Sequence, residues 1–267
     1  MALEIEVLSE RKGSNPGGLC RINYERGNFE GYFKYCFGAK IPHKLSSFTS
    51  DHQPIYEAIT FELSRKMGLH VPQFFVAINS KKNIRFVNKS TNDRDHSGRP
   101  YYFVSKIIHE SRDKGKEELG DKIISSERVY LEGLHISDIL GKRQNYVISP
   151  SNSGKVFYID LGCSFVHAKG GFISLPNSIL KLKKMNHKRE GYHLNNKNII
   201  APDDETIINL GELANSFSGM TLPSLNPLGR VGINDILSAE EILEIKEYIT
   251  HNFCENLSHF KSKGLLI

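Results

Sequence analysis

The spacing of apolar residues changes period along the chain, and each change marks an element. Between residues 3 and 37, short apolar runs alternate with turn clusters: 12–18 reads as a glycine-rich loop, 19–24 as a strand, 25–28 as a turn and 29–37 as a second, aromatic strand. From 51 the period lengthens: Ile55, Ile59, Leu63 and Met67 recur at a helical step, with Pro54 near the start and Gly68 at the close. A strand over 73–79, a charged hairpin or loop over 79–100 and a buried strand over 101–108 follow. The charged segment 109–121 marks a boundary. Beyond it, 129–140 has helical spacing, 146–148 and 156–159 read as the strands of a hairpin, and 203–213 reads as helix. Residues 216–231 are rich in Gly, Pro and Ser and predict a loop; Ser238 and Glu241 then frame a capping box that opens a helix running to about Phe260. No internal repeat is evident.

A chain of 267 residues is long enough for one large domain or two packed lobes. The four cysteines are scattered, without the paired spacing of a zinc site or the density of a disulfide framework, so reduced thiols are expected. The opening Met-Ala-Leu-Glu-Ile-Glu carries acids in place of the basic and then apolar blocks of a secretory signal, and no apolar run reaches a membrane span. The expectation is a cytoplasmic protein; a signal for a specialised secretion system, delivering it into a host cell, would pass this test unseen. A net charge of +5 is compatible with an anionic ligand and does not call for general nucleic-acid binding.

Candidate chemistry centres on the second hairpin. Its returning strand at 156–159 suits a buried position and delivers Asp160 onto a Leu161-Gly162 turn, which makes Asp160 the first candidate metal ligand. Asn145 enters the same hairpin as Asp160 leaves it, so an amide and a carboxylate oxygen meet at one end, a pair suited to magnesium. The loop at 12–18 either closes over a phosphate chain or simply connects two strands. Lys34, in an aromatic strand, needs a partner for its ammonium, or an edge position where a lysine discourages strand pairing. Glu57 and Glu62 lie off the apolar stripe of their helix; solvent is the ordinary fate of such residues, but Glu57 stands at the end where a partner for Lys34 is expected. Lys181, Lys183, Lys184, His187, Lys188 and Arg189 form the densest basic run, either a solvated helix face or a site for a phosphate-rich ligand, an acidic protein or a membrane surface.

In chain order these features are a glycine-rich loop, Lys34, Glu57, a connecting strand, Asn145 and Asp160-Leu161-Gly162. That order resembles the protein-kinase-like superfamily, in its atypical bacterial branch: it is similar to HipA-like toxins and to kinases that bacterial pathogens inject into hosts, with phosphoinositide-kinase-like features around Tyr158 to Gly162. The resemblance covers roughly residues 10 to 165. It implies an α+β, bilobal fold: an N-lobe over 1–108 built of an antiparallel sheet and one helix, and a mainly helical C-lobe over 109–267. It also implies that Lys34 reaches the phosphates of ATP, Glu57 orients Lys34, Gly17 and Gly18 let backbone amides approach the nucleotide, and Asn145 with Asp160 holds magnesium. The pattern is broken at Leu140, where such kinases place the aspartate that accepts the substrate proton. Asp138 is then the candidate base, or else a helix-end aspartate bonded to backbone amides. Lys142 or Arg143 is placed to steady the transferring phosphoryl. The implied function is transfer of phosphate to serine or threonine of a protein, regulated through the basic run by an inositol polyphosphate or phosphoinositide. The alternatives are a catalytically silent binding module, a lipid or small-molecule kinase, and an adenylate transferase.

Overall fold

The structure, a computed structural model, describes residues 3–10, 16–36, 47–79, 82–88, 95–108, 145–149, 155–162, 211–226 and 228–262, with a few single positions between 127 and 134; the side chains of 251–262 lie outside the description. The class is α+β. Among the described residues, eight strands form one curled sheet and two more a separate hairpin. A meander of β1 (Leu3–Glu10), β2 (Gly17–Tyr24) and β3 (Gly27–Lys34) starts it. The first long helix, α1 (Gln53–Lys66), comes next, then β4 (Phe74–Ile78), β5 (Ile84–Asn88) and β6 (Tyr101–Lys106). The hairpin β7 (Tyr146–Ser149) and β8 (Lys155–Tyr158) stands apart from the sheet. A second hairpin, β9 (Thr221–Asn226) and β10 (Leu228–Gly232), precedes the long helix α2 (Ala239–Ser262).

The strand order is β10-β9-β4-β6-β3-β2-β1-β5. Most neighbours are antiparallel, but β1 pairs with β5, and β4 with β9, in parallel. The expected antiparallel sheet is therefore mixed. The parallel strands come from a segment expected as a hairpin or loop, 79–100, which holds β5, and from one expected as a loop, 216–231, which holds β9 and all but the last residue of β10. The sheet thus recruits two strands from well beyond residue 108.

Alternation along the strands divides the core between the two sheet faces. On one face Ile5, Val7, Ile22, Phe33, Tyr102 and Val104 pack together, with Phe86 of β5 reaching over Phe33 and Tyr102 at ring distances of 5.8 and 5.2 Å. On the other face Val76 and Phe103 meet α1, whose Phe61 ring lies 4.7 Å from that of Phe103. The expected stripe Ile55, Ile59, Leu63 is buried here, but so is every residue of α1 from Pro54 to Ser64. The same buried cluster takes in Tyr146, Ile148 and Tyr158 of the β7–β8 hairpin and Ile245 and Tyr248 of α2. A helix covered on all sides is a core helix.

Local signals explain both helix boundaries. At the C-terminus of α1 the Gly68 amide donates to the Arg65 carbonyl at 3.1 Å and the Leu69 amide to the Ser64 carbonyl at 2.9 Å, with Gly68 at φ +83° and Leu69 buried. This is the Schellman closure that glycine permits. At the start of α2 the capping box forms as expected: the Glu241 amide donates to Ser238 Oγ at 3.2 Å, and the Ser238 amide donates to Glu241 Oε2 at 2.8 Å.

Candidate functional site

Lys34 ends β3, and its register sets its surroundings: Gly17 of β2 is its partner on one side and Phe103 of β6 on the other. Its side chain leaves the sheet on the α1 face, passing 5.6 Å from the centre of the Phe103 ring. The alternative of an exposed edge lysine is ruled out by this interior position. Lys34 Nζ donates to Glu57 Oε1 and, at 2.9 Å, to Asp160 Oδ1. The Lys34 and Glu57 side chains are 6% and 2% exposed, whereas that of Asp160 is 28% exposed. One ammonium is thus shared by two carboxylates, with Asp160 on the open side. Burying such a group costs several kcal/mol per ion unless partners compensate, so the cluster is held by mutual need.

Each member is placed by its own element. Glu57 faces Lys34 because α1 is pinned against β4 and β6 by its aromatic residues. Asp160 follows β8 and is fixed from both sides. Before it, the Ile159 amide donates to the Asn145 carbonyl at 3.0 Å, and the Tyr158 amide donates to the His70 carbonyl at 2.9 Å. After it, Leu161 is fully buried in the core. The Tyr158 hydroxyl adds a bond to Glu127 Oε2; burial pushes both the Glu127 carboxyl and the Tyr158 phenol above their ordinary pKa ranges. Gly162 then passes so close to α1 that a Cβ there would stand 2.8 Å from Glu57 Oε2. A side chain at 162 would therefore have to displace the Glu57 carboxylate.

Asn145 is buried and stands at the entrance of β7, next to the register pair Tyr146 and Tyr158, so the hairpin brings it to the same end as Asp160. An amide oxygen and a carboxylate oxygen suit a hard divalent cation. Among the described residues no group of three His, Cys, Asp and Glu comes together. A cation held here would take these two protein ligands and complete its shell with phosphate and water, the usual manner of magnesium.

Gly17 and Gly18 lie at the buried start of β2. Gly17 has φ +144°, and a Cβ on it would meet the Phe33 carbonyl oxygen at 2.0 Å; one on Gly18 would meet the Ser9 carbonyl oxygen at 2.2 Å. Their first role is to let β1, β2 and β3 approach beside Lys34. Asp138, Leu140, Lys142 and Arg143 lie outside the described residues, as do Lys181, Lys183, Lys184, His187, Lys188 and Arg189.

Two clusters near the site were not anticipated. Glu62, for which solvent was the ordinary expectation, is 1% exposed and accepts from Arg65 at 2.8 Å and from Arg230 of β10 at 3.0 Å. Arg65 at the i+3 position was a readable signal; Arg230, 168 positions away, was not. The other is a buried carboxylate, Glu241, that joins the starts of α1 and α2. No family model matches the chain, and no curated protein matches it either.

Proposed function

We propose that this chain is an atypical ATP-dependent kinase acting on serine or threonine of a protein, with magnesium as cofactor and a bilobal, kinase-like architecture. In this reading the β1–β6 part of the sheet and α1 form the nucleotide lobe. The observation that carries it is the convergence of Lys34, Glu57 and Asp160, from a strand, a helix and a post-hairpin turn, on one half-open spot. Lys34 is positioned to trade its contact with Asp160 for phosphate oxygens while Glu57 keeps its ammonium oriented. Asp160 and Asn145 are the ligands for magnesium, which when bound neutralises charge on the phosphates. Because phosphoryl transfer has a loose transition state, positioning and charge carry most of the rate, and a displaced proton acceptor such as Asp138 slows the reaction without forbidding it. An inositol polyphosphate or phosphoinositide acting on the run at 181–189 rests on its charge alone.

Leu140 at the usual base position favours a second reading, a catalytically silent module that binds nucleotide or partner without transfer. One experiment separates them: incubation with magnesium and ATP labelled at the γ- or the α-phosphate, comparing wild type with Asp160→Ala, with protein and phosphoinositide acceptors in parallel. The kinase reading expects γ-label on protein in the wild type only. Label from the α-phosphate identifies adenylate transfer, label on lipid a lipid kinase, and binding without transfer the silent module. Label that persists in Asp160→Ala overturns the site. No described helix is long and apolar enough to cross a membrane.

A further inference from the structure

The first turn of α1 contains no acidic residue, and its N-cap His52 makes no capping bond from its side chain, so the positive end of this helix is not answered from within. The answer comes from the other end of the chain. Glu241, 2% exposed, divides its carboxylate between two helices. Its Oε2 accepts from the Ser238 amide at 2.8 Å, inside its own capping box. Its Oε1 accepts from His52 Nδ1 at 2.7 Å and from the Tyr56 hydroxyl. The Thr49 amide donates to that same hydroxyl oxygen at 3.1 Å, which turns the phenolic proton toward Glu241. Burial pushes the Glu241 carboxyl up, but the bonds from His52, Tyr56 and the Ser238 amide outweigh it and leave the pKa below the ordinary glutamate value. One turn further along α2, Glu244 Oε2 accepts from Ser47, from its amide at 3.0 Å and its hydroxyl at 2.7 Å. The segment entering α1 is thus tied to α2 at two points.

Tyr56 is the residue immediately before Glu57. Neighbouring residues on a helix point about 100° apart, so Tyr56 reaches α2 while Glu57 reaches Lys34. Rotating α1 by about 20° carries a carboxylate about 5 Å from the axis through nearly 2 Å, which is more than a hydrogen bond tolerates. We infer that Glu241 is a positioning residue: through Tyr56 and His52 it fixes the rotation of α1 and thereby the contact of Glu57 with Lys34, so that the C-terminal helix controls the site. The consequence for nucleotide rests on the function proposed above; the positioning itself does not.

The test reads Lys34 directly. Full-length wild type, Tyr56→Phe, Glu241→Ala and Glu57→Gln are treated with an N-hydroxysuccinimide acetylating ester, and acylation of Lys34 is followed by peptide mass spectrometry, with exposed Lys66 as internal reference. Tyr56→Phe removes the hydroxyl that donates to Glu241 and accepts from the Thr49 amide, without leaving a cavity, so Lys34 should be acylated roughly tenfold faster while Lys66 is unchanged. In a Glu57→Gln background, where the contact is already weakened, Tyr56→Phe should add little further acceleration. Unchanged Lys34 acylation in both Tyr56→Phe and Glu241→Ala overturns the inference, as does an equal acceleration in the Glu57→Gln background, which would mark general loosening. MgATP affinity measured on the same proteins should fall in parallel. A wild type that fails to bind MgATP while its acylation rates behave as expected sinks the kinase reading and leaves the positioning role intact.

Discussion

Lys34 lies between two carboxylates, and what its removal does depends on what is left behind. Lys34→Met leaves Glu57 buried beside Asp160 with the shared ammonium gone. Breaking a buried pair from one side commonly costs about 3–5 kcal/mol, whereas replacing both partners by apolar groups is often near neutral. Lys34→Met is therefore expected to lower the urea midpoint substantially, and Lys34→Met with Glu57→Leu to recover most of it. Titration calorimetry should find MgATP binding lost in both. A single variant as stable as wild type would show that the pair is not buried as described. At this scale Lys34 and Asp160 were legible because each is an unusual residue for its place, a cation in an aromatic strand and an acid on a glycine turn, whereas Glu57 was singled out only by standing at the end of its helix where a partner for Lys34 was expected. Glu62 was not legible, because a helix glutamate is ordinary and the arginine that buries it comes from the far end of the chain.

Elements whose ends carry their own chemistry were read correctly, and α1 shows why. Its closure at Gly68 requires a left-handed residue, and nothing lies within 4 Å of a Cβ built there. Gly68→Ala should consequently cost only the backbone penalty, about 1–2 kcal/mol, with MgATP binding retained. Thermal or urea unfolding measures it, and a much larger loss would mean that packing, not φ, makes glycine necessary. The capping box of α2 and the β7–β8 hairpin were legible in the same local way. β9 was not, because Pro223 argues against an interior strand. The structure accommodates it by pairing Pro223 with Arg230 of β10 and confining the contact with β4 to Ser224 and Asn226. β5 was read only as part of a hairpin or loop for a related reason: what makes it a strand is parallel pairing with β1, some eighty residues earlier, as in Ile5 with Phe86. Long-range pairing leaves little local trace.

For the whole molecule, the interleaving of early and late segments is the dominant feature. β9 and β10 continue the sheet begun by β1, α2 holds the start of α1, and the β7–β8 hairpin shares the buried cluster of that helix. The candidate site sits where these parts meet, so a ligand bound to it should stabilise them together. If MgATP occupies the site, free ligand at a hundred times its Kd adds about 2.7 kcal/mol to folding. For a chain of this size that corresponds to a rise in Tm of roughly 5–10 °C. The rise should appear in one transition, vanish when a chelator removes magnesium and be absent in Asp160→Ala, because that carboxylate is the proposed metal ligand and a partner of Lys34. A shift of equal size in Asp160→Ala would place the nucleotide elsewhere. A shift confined to one of two separate transitions would show that the late strands and α2 fold independently of the sheet they complete, and with that the coupling of the C-terminal helix to Lys34 would have no structural route.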